Sequence, residues 1–175
     1  NYWVFRTGAN GDFNGEKSSG RNSVNGSLSA NRTTEDWRIS ISGNGSYNAS
    51  SFTFDSATSH FYSHSYGSNA LVVKSLGPRW SAGVNTGFSS STRENLKLSS
   101  YIGPAIEYDI FPYSQSTRRL FTLRYTLNAT MTRYEEETIY DKTSENLVNQ
   151  SLQASLSVRQ PWGSVNSSLS GSHDL

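Results

Sequence analysis

Residues 96–110 read LKLSSYIGPAIEYDI. Leu96, Leu98, Ile102, Ile106, Tyr108 and Ile110 fall on one parity, with Lys97, Ser99, Glu107 and Asp109 on the other. Successive side chains of a β-strand point to opposite faces, so the alternation predicts a strand with one oily and one polar face. Residues 121–131 (FTLRYTLNATM) repeat the pattern. Phe121, Leu123, Tyr125, Leu127, Ala129 and Met131 alternate with Thr122, Arg124, Thr126, Asn128 and Thr130. Both segments are long, whereas strands of soluble sandwiches usually run ~5–6 residues.

The same period extends in both directions. Trp3, Phe5, Thr7, Ala9 and Phe13 oppose Val4, Arg6, Gly8, Asn10 and Asp12. Trp37, Ile39, Ile41, Gly43, Gly45 and Tyr47 oppose Arg38, Ser40, Ser42, Asn44 and Ser46. Trp80, Ala82, Val84, Thr86 and Phe88 form a fifth segment, and Leu152, Ala154, Leu156 and Val158 an eighth. Segments at 22–32 and 163–171 are weaker versions. The stretch 60–76 carries apolar residues on both parities, for which a β-bulge that shifts its phase is expected. Helical periodicity is absent, and about nine strands are predicted.

Trp3, Trp37, Trp80 and Trp162 each stand where a segment begins, and Phe121 opens another. Large amphipathic rings recurring at one end of every second strand predict a belt at a membrane–water interface. Thr33–Asp36, Leu76–Arg79 and Gln160–Gly163 read as tight turns, with a somewhat longer link near Phe111–Arg118. At the other end Asn14–Arg21, Ser50–Ser59, Ser89–Asn95 and Tyr134–Asn146 read as longer polar loops, with Phe13, Tyr47, Phe88 and Tyr134 as a second belt. Short turns below and long loops above are the arrangement of outer-membrane barrels. The fold expected is therefore all-β, an antiparallel up-and-down transmembrane β-barrel. A soluble β-sandwich or solenoid is the alternative.

Composition agrees by exclusion. The chain has 175 residues, 15 basic and 14 acidic, so it has no electrostatic footprint for nucleic acid. It contains no cysteine, which rules out disulfides and thiolate metal sites. No run approaches the ~18 apolar residues of a membrane helix. A mean hydropathy of −0.60 is compatible with a barrel, whose wall meets lipid only at every second residue.

The polar parity carries Arg6, Arg38, Glu107, Asp109, Arg124 and Arg159, all toward the tryptophan end. A lumenal charge network is expected there. It would either brace the wall or form a constriction that selects solutes. In a hairpin about Phe111–Arg118, Glu107 is expected opposite Thr122 and diagonal to Arg124. Seven N-x-[ST] triplets, at Asn25, Asn31, Asn44, Asn48, Asn128, Asn149 and Asn166, fall on the same parity. They read as a Ser/Asn-rich lining in preference to glycosylation sites. Residues 60–65 (HFYSHS) hold the ingredients of a Ser/His hydrolase, with no acidic partner at a recognisable spacing and no G-x-S-x-G. His64 would point outward between Tyr62 and Tyr66. No catalytic residue, metal or cofactor is expected, and a lipid- or peptide-hydrolysing barrel is the enzymatic alternative. The run Glu135–Glu137 reads as a solvated loop, with divalent cations bridging lipopolysaccharide as its functional alternative.

With the hairpins in place, the chain resembles Gram-negative outer-membrane β-barrels along its whole length. Residues 101–113 (YIGPAIEYDIFPY) and 118–125 (RRLFTLRY) are similar to the uncharacterised salt-induced outer-membrane protein family. The resemblance implies a bacterial outer-membrane location and brings no catalytic residues with it. Single-chain bacterial barrels close with an even number of strands. Residues 1–175 are therefore expected to be one barrel domain, incomplete at its C-terminal end, within a barrel of ten or more strands. Sharing a barrel with other chains is the alternative. Expected partners are membrane lipids, lipopolysaccharide, and other envelope proteins or copies of itself. The functions expected are a structural or passive pore with a Ser/Asn/Thr-lined lumen, a scaffold subunit of an envelope complex, or a secreted β-sandwich adhesin or binding module.

Overall fold

The backbone of an extended strand needs a hydrogen-bonding partner, and the chain supplies one by folding back on itself repeatedly. A computed structural model describes residues 2–16, 18–55, 57–112, 115 and 117–175. Tyr113, at the end of the family-like stretch, lies outside the described residues. The strands are β1 (Val4–Gly15), β2 (Ser19–Thr33), β3 (Trp37–Phe54), β4 (Ala57–Ser75), β5 (Trp80–Ser91), β6 (Leu96–Asp109), β7 (Arg119–Tyr134), β8 (Ser144–Gln160) and β9 (Gly163–Asp174). They form one antiparallel sheet in sequence order, each hydrogen-bonded to its neighbours in the chain. The sheet is open, with β1 and β9 as its edges. A sandwich would need a second sheet against the apolar face, and the nine strands form only one.

The register carries the two parities unbroken across the sheet. Starting from Phe5, the pairing passes Ala30, Ile41, Ala70, Thr86, Ile102, Ala129 and Val148. It arrives at Leu175, whose amide donates to the Val148 carbonyl at 2.8 Å. That path climbs from the second residue of β1 to just beyond the last residue of β9. A stagger of this size corresponds to strands tilted by roughly 40° to the axis about which the sheet curls. Outer-membrane barrels have tilts of ~35–45°. No hydrophobic side chain among the described residues is buried, so the sheet encloses no oily core.

Several expectations need correction. The apolar residues of β4 on both parities do not reflect a bulge, because β4 pairs with β3 without interruption from Trp37↔Lys74 to Phe54↔Ala57. The irregularities instead flank the single-turn 3₁₀ helix Thr92–Glu94, at Ser89/Ser91 and Leu96/Leu98. Nor are the links at the far end long. β1 and β2 are separated by residues 16–18 and β3 and β4 by 55–56, because the Ser/Asn/Thr stretches continue the ladders instead of looping out. Thr53 and Thr58 share a hydroxyl hydrogen bond of 3.0 Å, and Phe52 and Phe61 meet edge to face beneath that tip. Loop length therefore does not distinguish the two ends.

Only the β7–β8 link, 135–143, is long at this end, and Asn95 fastens it. Asn95 adopts the left-handed conformation (φ 55°) that ends the 3₁₀ turn, which an asparagine tolerates well. Its side chain donates to the Glu136 carbonyl at 2.8 Å and accepts from the Glu136 amide at 2.7 Å. Asn95→Ala should cost about 1–2 kcal/mol, from two lost hydrogen bonds and a less tolerated φ. Hydrogen exchange in 135–143 should quicken while the β3–β4 tip stays unchanged. Equal exchange in the loop would refute this tie.

Candidate functional site

The sheet curls toward its polar face. Side chains contributed by strands from β3 to β8, among them Arg38, Ser81, Asn85, Glu107, Arg124 and Gln153, line one hollow of about 380 Å³. Cross-strand hydrogen bonds knit this lining. Ser40 donates to Asn31 at 2.6 Å and Ser157 to Asn166 at 2.7 Å, while Ser46 meets Ser65 at 2.7 Å and Ser99 meets Thr132 at 3.2 Å. The asparagines of all seven N-x-[ST] triplets lie on this parity of the register.

Of the six charged residues expected to form a network, the structure joins two directly. Glu107 stands opposite Arg124, whose Nε and Nη2 both lie 2.7 Å from Glu107 Oε2. Asp109 is the next residue on that face and opposes Thr122. The expected pairing was two residues out. The hairpin closes around Ile110–Arg118, with the Ile110 amide donating to the Phe121 carbonyl at 2.8 Å. A slide of two keeps every side chain on its face, so parity alone could not detect it. Arg38 lines the same hollow as Glu107 and Arg124. Arg6 opposes Ser29 and Arg159 opposes Ser164, and no ion pair among the described residues includes either.

The Arg124 side chain is 51% exposed and that of Glu107 22%. An ion pair so open to solvent contributes of the order of 0–1 kcal/mol to the stability of the sheet.

Sequence reading missed a joint above this pair. Asn69, Gly87 and Tyr101 occupy one row on adjacent strands. The Tyr101 ring crosses Gly87 so that the Asn69 amide donates to its hydroxyl. A lone tyrosine on the polar parity of β6, two residues from Gly103, was the available signal. Gly103 is similarly crossed by the Asn128 side chain.

The aromatic positions divide. Trp37 and Trp80 open β3 and β5 on the apolar parity, Phe121 follows two residues into β7, and Trp3 precedes β1 at the same end. Lys74 lies over the Trp37 ring at 5.2 Å, and Trp80 packs against Tyr108 at 4.7 Å. Trp162 sits in the β8–β9 turn, not on a strand. In the second belt, Phe13, Tyr47 and Phe88 keep the apolar parity. Tyr134 turns to the polar face, where its hydroxyl donates to Glu145 at 3.3 Å.

The hydrolase ingredients are split by the sheet. His60 and His64 share the apolar parity, while Ser63 and Ser65 face the other side. Among the described residues, no three acidic or imidazole groups converge as a metal site, and this includes the Glu135–Glu137 loop. Comparisons with family models, with curated proteins and with solved structures find no match for this chain.

Proposed function

We propose that this chain forms the wall of a bacterial outer-membrane β-barrel, non-enzymatic and of structural or passive-pore type. Its polar face would line the lumen and its apolar face would meet lipid. One observation carries the reading: a sheet with no buried hydrophobic residue exposes an apolar surface over all nine strands. Leu28 is 64% exposed, Ile102 52% and Leu152 56%. In water such a surface far exceeds what a soluble monomer tolerates, and nothing else among the described residues would supply the burial that folding requires. In lipid the same surface is solvated, and the backbone is satisfied by strand pairing. The stagger and the aromatic positions at the tryptophan end support the same reading.

The edges favour a second element of it. In a nine-strand meander β1 and β9 run in the same direction, so antiparallel closure takes an odd number of further strands. Those strands would come from elsewhere in the polypeptide or from a partner in an envelope assembly. Unpaired edges are not stable in hydrocarbon.

The test is conductance of the protein reconstituted in planar bilayers. Arg124→Ala should move ion selectivity toward cations, because Glu107 and Asp109 then lack their counter-charge. Glu107→Ala should move it toward anions. Unchanged selectivity in both variants would remove the pore and leave the structural wall. Failure to enter bilayers at all would remove both.

A further inference from the structure

On the apolar face of β4, every second side chain from 60 to 66 is an imidazole or a phenol: His60, Tyr62, His64 and Tyr66. Tyr47 stands opposite His64 on β3. The rings form a ladder. His60 and Tyr62 lie 6.3 Å apart and 12° from parallel, and His64 and Tyr66 lie 6.5 Å apart and 4° from parallel. Tyr47 and Tyr62 are 6.5 Å apart. All five side chains are exposed. Among the described residues, neither imidazole and none of the three hydroxyls has a hydrogen-bond partner in the protein. No carboxylate occupies this parity from β1 through β5. The ladder is thus a set of unused donors with no competing anion.

Its height is informative. Tyr47 lies ten residues beyond Trp37 on the same strand. At ~3.3 Å per residue and a tilt near 40°, that places the Tyr47–His64 rung ~25 Å from the tryptophan level, with Tyr62 and His60 beyond it. An outer-membrane barrel has an apolar band of about that height, so the donors stand in the opposite headgroup layer.

Just inside the ladder, Tyr66 and Phe88 bound a shallow depression of about 670 Å³ that also runs past Leu28, Gly26, Gly43 and Gly45. These glycines are not explained by the backbone. None has a positive φ, a Cβ at Gly26 would meet nothing within 4 Å, and at Gly43 and Gly45 it would make only ordinary contacts. Glycine weakens a strand, and here its one effect is open apolar space directly below the donors.

We propose that the His60–Tyr62–His64–Tyr66 ladder with Tyr47 binds the phosphates of lipid headgroups, the lipid nearest Tyr66 laying one acyl chain in the depression below. This rests on the membrane reading above and names the lipid chemistry. Imidazole N–H and phenol O–H groups donate to phosphate oxygens, the imidazoles more strongly when protonated. The apolar run into the depression matches the chain attached to that headgroup.

The experiment is native mass spectrometry of the protein released from vesicles of neutral lipid doped with phosphatidylglycerol, or with a phosphate-free diacyl glycolipid of the same chains. The wild type should retain phosphatidylglycerol in preference to the glycolipid. His60→Asn/His64→Asn should reduce that retention about tenfold, the loss of roughly one net charge-assisted hydrogen bond. Gly45→Leu should reduce it while leaving the donors intact. The histidines are at exposed strand positions and a Cβ at Gly45 would make only ordinary contact, and the fraction inserted in vesicles reports folding independently. Equal retention of both lipids, indifference to the histidine variant, or protein dimers in place of lipid adducts would each overturn the inference. Insertion with no lipid retained sinks this site alone. A protein that stays in water sinks the membrane reading with it.

Discussion

Gly87→Val is expected to destabilise the sheet by about 3 kcal/mol or more, whereas Gly171→Val should be close to neutral. A Cβ at Gly87 would sit inside contact distance of the Ser68 carbonyl oxygen and 3.0 Å from the Tyr101 ring and hydroxyl. The first obstacle is backbone of the paired strand, which cannot rotate away, so β4 and β5 would have to separate locally. The second is the ring that spans Gly87 to reach Asn69. At Gly171 a Cβ meets nothing within 4 Å, and β-branching suits a strand. Tyr101→Phe keeps the ring over Gly87 and removes only its hydrogen bond, so it should cost about 1 kcal/mol. Urea titrations followed by tryptophan fluorescence, on protein folded in micelles, measure all three. Equal midpoints for Gly87→Val and Gly171→Val would mean that the crossing ring does not hold β4, β5 and β6 together.

Much of this geometry was legible in the sequence, because the facing of side chains is a local property. The alternation in β6 and β7 fixed which residues share a face, and the structure keeps Leu98, Ile102, Ile106 and Tyr108 on the apolar one. Register is not local. Whether Glu107 meets Thr122 or Arg124 depends on how residues 110–118 close the turn, and either choice preserves the faces. Strand ends were equally hard to read, since Ser/Asn/Thr stretches serve a loop or a solvated ladder alike. Tyr134 needs no irregularity to face inward: it is an even-numbered residue of β7, on the polar parity, beside Glu145. The shift at Leu96/Leu98 displaces Leu96 instead, which stands opposite Tyr134 on the polar side. The apolar side chains on the polar parity of β4 have a packing reason. A Cβ at Gly83 would lie 3.0 Å from Val73, so that glycine makes room for the valine where the sheet curls.

Ile41 and Ser42 provide the sharpest test of which solvent surrounds the sheet. They are neighbours on β3, at the same depth, with side chains on opposite faces. Ile41 is 46% exposed, and its flanking row runs through Ala30, Ala70 and Thr86. It lies four residues from Trp37, which at the tilt above is ~10 Å into the apolar band, close to its middle. In water, arginine at such an exposed strand position would change stability by ~0.5 kcal/mol or less. In a bilayer, Ile41→Arg should cost ~2–4 kcal/mol, because the guanidinium must be dragged into hydrocarbon or pull water after it. Ser42→Arg places the same charge on the polar face and should cost under ~1 kcal/mol in either solvent. The difference between the two variants thus isolates the medium from the residue, since strand propensity and arginine entropy are common to both. Unfolding free energies measured in phospholipid vesicles give the result. A gap of ~2 kcal/mol or more assigns the Ile41 face to lipid, and no gap assigns both faces to water.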